Sequence, residues 1–311
     1  MNNPVTKNFV KAGLTASAGL VTTTAAHAQE ALKDWQLWHQ PAASPGMEEI
    51  ISFDILTFWI ITPITLFVVA LLAYVMIKFR ASANPVPSKT THHAGLEVAW
   101  TLGPVLILLI LAIPSFKLLT LQFNPPEEPS ITIKATGYQW YWGYEYQGDK
   151  EVSFEARPVG SEVIAGSKEA ALKEREDAGK TDLKTYPRLL AVDNEVVVPV
   201  GKVVRVLVTA GDVIHDWAMP AFGIKMDGIP GRLNEVYFQP MKEGLYYGQC
   251  SELCGKYHAY MPIAVRVVSE AQYATWLAKA GDDIGAAGKD LMASIEKNKN
   301  IKVASKRVHK N

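Results

Sequence analysis

Two long apolar runs in the first half of the chain limit its fold more than any other feature. Residues 50–77 carry a single acid, Asp54, and stop abruptly at Lys78, Phe79 and Arg80; residues 98–116 carry no charge and lie between Glu97 and Lys117. Each run is about 20 residues or longer, enough at about 1.5 Å per residue to cross a hydrocarbon core about 30 Å thick. Pro63, Pro104 and Pro114 fall inside the runs. Proline is costly in a soluble helix but tolerated in a membrane helix whose neighbours satisfy the freed carbonyls, so the two spans are expected to pack against a partner. The bilayer itself is the first partner.

Orientation follows from charge. Lys78, Arg80 and Lys89 all lie in the loop between the runs, which places that loop in the cytoplasm and both mature termini outside. The first 28 residues fit the same picture, with Lys7 and Lys11, a modestly apolar stretch without acids, and Ala26-His27-Ala28 as a cleavage site. They read as a secretory signal. His92 and His93 read as solvated loop residues. Over the whole chain 31 basic residues balance 31 acidic ones, so nothing suggests nucleic acid as a partner.

Beyond the Pro-rich residues 124–130 the pattern changes to short alternating runs rich in Val, Ile, Tyr and Trp and punctuated by Gly, Pro and Asp. That pattern predicts an all-β sandwich of antiparallel strands. Residues 155–187 interrupt it with charged, helix-permissive sequence and read as an excursion loop without a site. Ser269 with Gln272 three residues on predicts a capped helix closing one end, followed by a basic, solvated tail. The chain thus divides into a signal peptide 1–28, an outer segment 29–49, a first span 50–78, a cytoplasmic loop 79–96, a second span 97–119, a linker 120–129, the β domain 130–269, and a C-terminal helix and tail 270–311.

Both cysteines of the chain, Cys250 and Cys254, sit in the run GQCSELCGKYHAYMPI with Glu252, His258 and Met261. In an oxidising compartment a disulfide is the plain alternative. A bridge, however, needs only two thiols, whereas this loop adds an imidazole and a thioether. Thiolate and thioether are soft ligands that select copper; zinc fits less well, since Met is a poor zinc ligand and the usual zinc spacing is absent. His215, in AGDVIHDWAMP, is the upstream histidine that a blue-copper site would use. A second cysteine goes beyond such a mononuclear site, and two thiolates that can each bridge two ions suit a dinuclear one.

Two spans, then GYQWYWGYEY, then AGDVIHDWAMPAFGIKMDGIPGRLNE, then GQCSELCGKYHAYMPI closely resemble subunit II of the haem-copper cytochrome c oxidases, in its bacterial form. The resemblance covers nearly the whole mature chain. It implies a cupredoxin-like Greek-key sandwich holding a copper A centre of two copper ions. Cys250 and Cys254 would bridge the ions, His215 and His258 would each bind one, Met261 would be a weak ligand, and the Glu252 carbonyl would complete the set. The Glu252 carboxylate would reach a magnesium or manganese ion shared with subunit I. Trp140 would receive electrons from cytochrome c, and Glu97 would lie at the mouth of a proton path, although a carboxylate at a helix start has a sufficient account in the helix dipole. Asp212 and Asp227 are expected to brace the histidine and the KMDGIPGR turn.

By the same resemblance the chain is an oxidoreductase subunit of the bacterial inner membrane, two-pass, assembled with subunits I and III. It would pass electrons from cytochrome c to haem in subunit I, where oxygen is reduced to water and protons are pumped. The spans hold no histidine, so the chain itself is not expected to bind haem or reduce oxygen. Acids such as Asp149, Glu151 and Glu155 are candidates for steering a basic cytochrome. Alternatives are a copper-free quinol oxidase subunit of the same shape and a membrane-anchored copper-binding or delivery module. The metal site of nitrous oxide reductase is of the same type, but that enzyme needs a catalytic domain far larger than anything before Ser130.

Overall fold

The computed structural model describes residues 35–125, 127–148 and 150–308. The signal peptide expected at 1–28, residues 29–34 of the outer segment, and Asp149 lie outside the described residues. Helix α1 (Pro45–Lys78) and helix α2 (Ala94–Phe123) form the hairpin. Their apolar side chains face outward, Phe67 at 62% and Ile113 at 76% exposed, where a soluble protein would bury them. Helix α1 begins five residues before the apolar run because Ser44 caps it, its hydroxyl accepting from the Met47 amide at 3.1 Å. Helix α2 has its own reciprocal cap. His93 Nδ1 accepts from Leu96 N at 3.2 Å, and the Glu97 carboxylate accepts from His93 N at 3.0 Å. His93 is thus a cap rather than a free loop residue.

The β domain is a sandwich of two five-stranded sheets. Its strands are β1 (Ile131–Tyr138), β2 (Tyr141–Gln147), β3 (Val152–Ala156), β4 (Val196–Pro199), β5 (Val204–Ala210), β6 (His215–Met219), β7 (Ile224–Gly228), β8 (Asn234–Phe238), β9 (Gly244–Cys250) and β10 (Pro262–Val268). One sheet runs β3-β2-β1-β5-β8 and the other β4-β10-β9-β6-β7. The expectation of uniformly antiparallel strands is corrected at two places: β1 pairs with β5, and β4 with β10, in parallel. Alternation of side chains reveals which face of a strand is buried but carries no information on the direction of its neighbour.

The alternation itself is plain. In β2, Trp142, Tyr144 and Tyr146 point into the core while Tyr141, Gly143 and Glu145 point away from it. Two of the buried aromatic polar atoms find partners: Trp217 Nε1 donates to the Tyr144 hydroxyl at 3.2 Å, and the Tyr146 hydroxyl exchanges hydrogen bonds with both backbone groups of Val197, whereas Trp142 Nε1 has none. All seven residues of β10 are buried, because its second face is covered by the 157–195 excursion. That excursion contains α3 (Glu162–Ala165) and α4 (Lys168–Asp177). Arg266 of β10 meets Glu195 there, and the same carboxylate is shared with Lys180.

At the C-terminus, α5 (Glu270–Ala280) has the expected capping box of Ser269 with Gln272. The basic sequence after it is helical through α6 (Ile284–Val308). Ala287 and Leu291 bury one side of α6. These two residues are sparse among charged neighbours, which hides the helix from a composition-based reading.

The hairpin is joined to the sandwich by more than the linker. Ala43 N donates to Ala221 O at 2.8 Å, Met241 N donates to Ala43 O at 2.9 Å, and the Ser44 hydroxyl donates to Phe222 O at 2.7 Å. Gly223, at φ +68°, lets this contact close, since a Cβ there would lie 2.6 Å from Ile50 Cδ1 and 3.2 Å from the Met47 backbone.

Candidate metal centre

Sheet register brings together residues that are distant in sequence. The β6–β9 ladder pairs Trp217 with Cys250, so His215, two residues earlier on β6, projects from the same face and lies diagonal to Cys250 at the end of β9. The loop 251–261 then returns to β10, and Cys250 N donates to Met261 O at 3.0 Å. One ligand atom from each of His215, Cys250 and Cys254 lies within 4.8 Å of the others, and all three residues are buried. Cys250 Sγ is 3.8 Å from Cys254 Sγ, 3.9 Å from His215 Nδ1 and 3.3 Å from the Glu252 carbonyl oxygen. On the other side, Cys254 Sγ lies 3.5 Å from His258 Nδ1. Met261 is fully buried, whereas the Glu252 side chain is exposed.

The chemistry of this donor set fits a soft cation. Burial first, and then the neighbouring Cys250, push the Cys254 thiol up to about 12. A thiol so placed ionises readily only when a cation compensates it, and two imidazole nitrogens flank the pair ready to share such a cation. The Glu252 carbonyl stands close to Cys250 Sγ, and Met261, buried, ends the same loop. The arrangement suits an ion, or an ion pair, that prefers sulfur and nitrogen.

The ring of His215 is oriented from behind. Its Nε2 lies 2.9 Å from Asp212 Oδ1, which assigns the proton to Nε2 and leaves the Nδ1 lone pair on the side of Cys250. Burial raises the Asp212 carboxyl, but hydrogen bonds from His215, Val213 N and Gln139 N outweigh this and hold it below the usual carboxylate range. Asp212 also ties in the β1–β2 turn, since its Oδ2 accepts from Gln139 N at 2.8 Å. From that turn the Gln139 carboxamide donates to Cys254 O at 2.8 Å and the Trp140 indole to the same oxygen at 3.3 Å. Trp140, half-buried, packs edge-on against Tyr257 with 4.8 Å between ring centroids. Asp227 does not reach the histidine. It stands opposite Asp216 in the β6–β7 register, and burial, then Asp227 itself, push the Asp216 carboxyl up to about 7. Glu97 lies at the start of α2, at the end of the hairpin away from the sandwich, where it caps His93.

Gln139 and Asp216 were not singled out from sequence. Gln139 sits beside the conspicuous aromatic Trp140, and its side chain reaches Cys254, 115 residues away, only through the fold. Asp216 follows His215 directly, and its buried, unpartnered Oδ1 becomes noticeable only when β7 is placed beside it.

A two-helix membrane hairpin carrying a cupredoxin-like sandwich, with a buried cluster of two thiols and neighbouring imidazoles at one end, defines a membrane-anchored β-sandwich protein with a candidate site for a soft metal. Two family descriptions match it: "Cytochrome C oxidase subunit II, periplasmic domain" over residues 131–268 and "Cytochrome C oxidase subunit II, transmembrane domain" over residues 32–118. Cytochrome c oxidase subunit 2 of Cereibacter sphaeroides is 45% identical over 275 residues, covering 86% of this chain and 89% of the relative. The probable cytochrome c oxidase subunit 2 of Rickettsia felis is 42% identical, covering 88% and 81%. Among solved structures, the periplasmic domain of subunit II of cytochrome oxidase (CoxB) of Bradyrhizobium japonicum is 47% identical over 51% of this chain and 98% of that one, with a TM-score of 0.42. The chain belongs to the cytochrome c oxidase subunit II family. It is therefore a membrane protein with a periplasmic domain and one subunit of an oxidoreductase complex.

Proposed function

We propose that this chain accepts electrons from cytochrome c at a copper A centre and delivers them to haem in subunit I, where oxygen is reduced to water and protons are pumped. The observation that carries this reading is the pair of free, buried thiols 3.8 Å apart, with one imidazole Nδ1 beside each. Cys250 and Cys254 would bridge two copper ions, with His215 and His258 as terminal ligands, Met261 as a weak ligand and the Glu252 carbonyl completing the set. When bound, such a pair shares one electron between two ions, so that bond lengths change little on reduction. The chain's own part is rigidity: His215 is anchored on β6 and by Asp212, and the cysteine loop is pinned at both ends by the β9–β10 ladder.

Trp140 is the residue through which electrons would arrive, since its indole N–H meets the carbonyl of a thiolate ligand. Leu253, 78% exposed within the ligand loop, supports a docking surface beside it. The exposed Glu252 carboxylate would hold a magnesium or manganese ion shared with subunit I. The complex would contain subunit III as well and lie in the bacterial inner membrane with both mature termini in the periplasm. Glu97 would stand at the cytoplasmic mouth of a proton path. A copper-delivery module is disfavoured because His215 is fully buried and held by Asp212, whereas exchange of metal needs ligands that open.

The test is copper content and low-temperature electron paramagnetic resonance on the full-length chain purified in detergent and reconstituted with copper. Two coppers per chain with a seven-line hyperfine pattern are expected. Cys254→Ser should lose the pattern and at least one copper. One copper with a four-line pattern in the unaltered chain would refute the dinuclear reading, and no retained copper would refute both.

A further inference from the structure

The imidazole of His215 is enclosed on all sides, and one wall of its enclosure is a place where a side chain is missing. Gly137 lies on β1, paired with Trp142 of β2 and Ala210 of β5. A Cβ built on it would sit 2.7, 2.8 and 2.9 Å from His215 Cδ2, Cγ and Cβ. Gly137 is not among the glycines with left-handed backbone, so conformation does not require glycine there. Space does. Ordinary carbon contacts begin at about 3.5 Å, so any side chain at 137 must displace the ring by on the order of 1 Å.

The ring has little freedom to absorb such a displacement. Its Nε2 is tied to Asp212, the indole of Trp142 stands 6.0 Å away between centroids at 61°, and the histidine backbone is locked in the β6–β7 ladder opposite Gly228. What can move is the Nδ1 side, which faces Cys250 Sγ. We propose that Gly137 is a positioning residue of the metal centre: by offering only a hydrogen, it sets how deeply the His215 ring seats against β1 and hence the position of Nδ1 relative to the two thiolates. The inference rests on the copper reading of the site. A ligand nitrogen held to within about 0.5 Å is what a metal pair with equally shared charge demands.

The test compares Gly137→Ala with Gly143→Ala in the full-length chain, reconstituted with copper. Gly143 lies on the adjacent strand, where a Cβ would come closest to Tyr138 Cε2 at 3.3 Å, with Thr136 O and Tyr138 Cδ2 at ordinary contact distances of 3.8 and 3.9 Å, so it reports general disturbance of the sheet. Gly137→Ala is expected to fold, as seen by circular dichroism, and to lose the seven-line pattern, giving four lines or a lowered copper content. Gly143→Ala is expected to keep seven lines. A folded Gly137→Ala protein with an unchanged seven-line spectrum overturns the proposal, as does an equal change in Gly143→Ala. Should Gly137→Ala fail to fold, Asp212→Ala frees the opposite side of the same ring from a partly exposed position: a shifted hyperfine pattern supports the seat, and an unshifted one overturns it. An unaltered chain that never shows a coupled copper pair overturns this inference together with the copper reading.

Discussion

At the residue scale the largest electrostatic commitment outside the metal centre is Glu195. It is buried at the end of the 157–195 excursion, with Arg266 Nη2 3.0 Å from one oxygen and Lys180 sharing the same carboxylate. Burial alone would raise its pKa, but the two cations outweigh it and lower it from 4.5 to about 2. A carboxyl depressed in the folded state contributes stability above its unfolded pKa and loses it as pH falls through the folded value. The window is therefore from about 4.5 down to about 2, and the shift corresponds to about 3 kcal/mol. Glu195→Gln leaves two buried cations unpaired and is expected to cost about 3–5 kcal/mol at neutral pH, read as a lower denaturant midpoint of the periplasmic domain within the full chain. The acid-induced loss between those pH values should be flatter in the variant than in the unaltered chain. None of this was legible beforehand, since Lys180, Glu195 and Arg266 are ordinary charged residues until the fold buries them together. The ligand cluster is the opposite case. Five residues of unusual chemistry within twelve positions announce themselves at any distance from a structure.

Among the elements, what could be read was whatever has a local cause. Ser269 with Gln272 signals a helix start by itself, and the capping box is there. The start of α1 lies before the span expected at 50–78: Ser44 followed by Pro45 is itself a helix-start signal, but the apolar run that marks the span begins only at Ile50. Its cap is confirmed as a start by a tertiary contact, the hydrogen bond from the same hydroxyl to Phe222 O. Ser44→Ala removes both the helix cap and this buried donor, and is expected to cost about 1–3 kcal/mol in the local contact. Limited proteolysis should detect it as faster cleavage around residues 40–46, with the copper signal retained. The parallel pairings of β1 with β5 and β4 with β10 escaped the sequence for a related reason: strand direction is decided by crossings between sheets, not by any residue within the strand.

For the whole molecule, the hairpin and the all-β domain follow from how apolar residues are ordered along the chain, because a bilayer admits apolar helices and a water-exposed sandwich requires alternation. Their relation to the membrane is checked by labelling. The native thiols are buried, so a cysteine introduced at Ser88, in the loop between α1 and α2, reports topology cleanly. A membrane-impermeant maleimide should modify Ser88→Cys only after permeabilisation; labelling of intact spheroplasts would reverse the orientation. The backbone contact between Ala43 and residues 221 and 241 has a consequence for biosynthesis. The contact from Ser44 spans 178 residues of sequence, which at about 5–20 residues per second is a wait of roughly 10–35 s between the synthesis of its two halves. During that interval residues 43 and 44 lack their partners, so domain closure is timed by the last strands translated, and under the proposed function a metal would enter after the arrival of β9 and β10 rather than before.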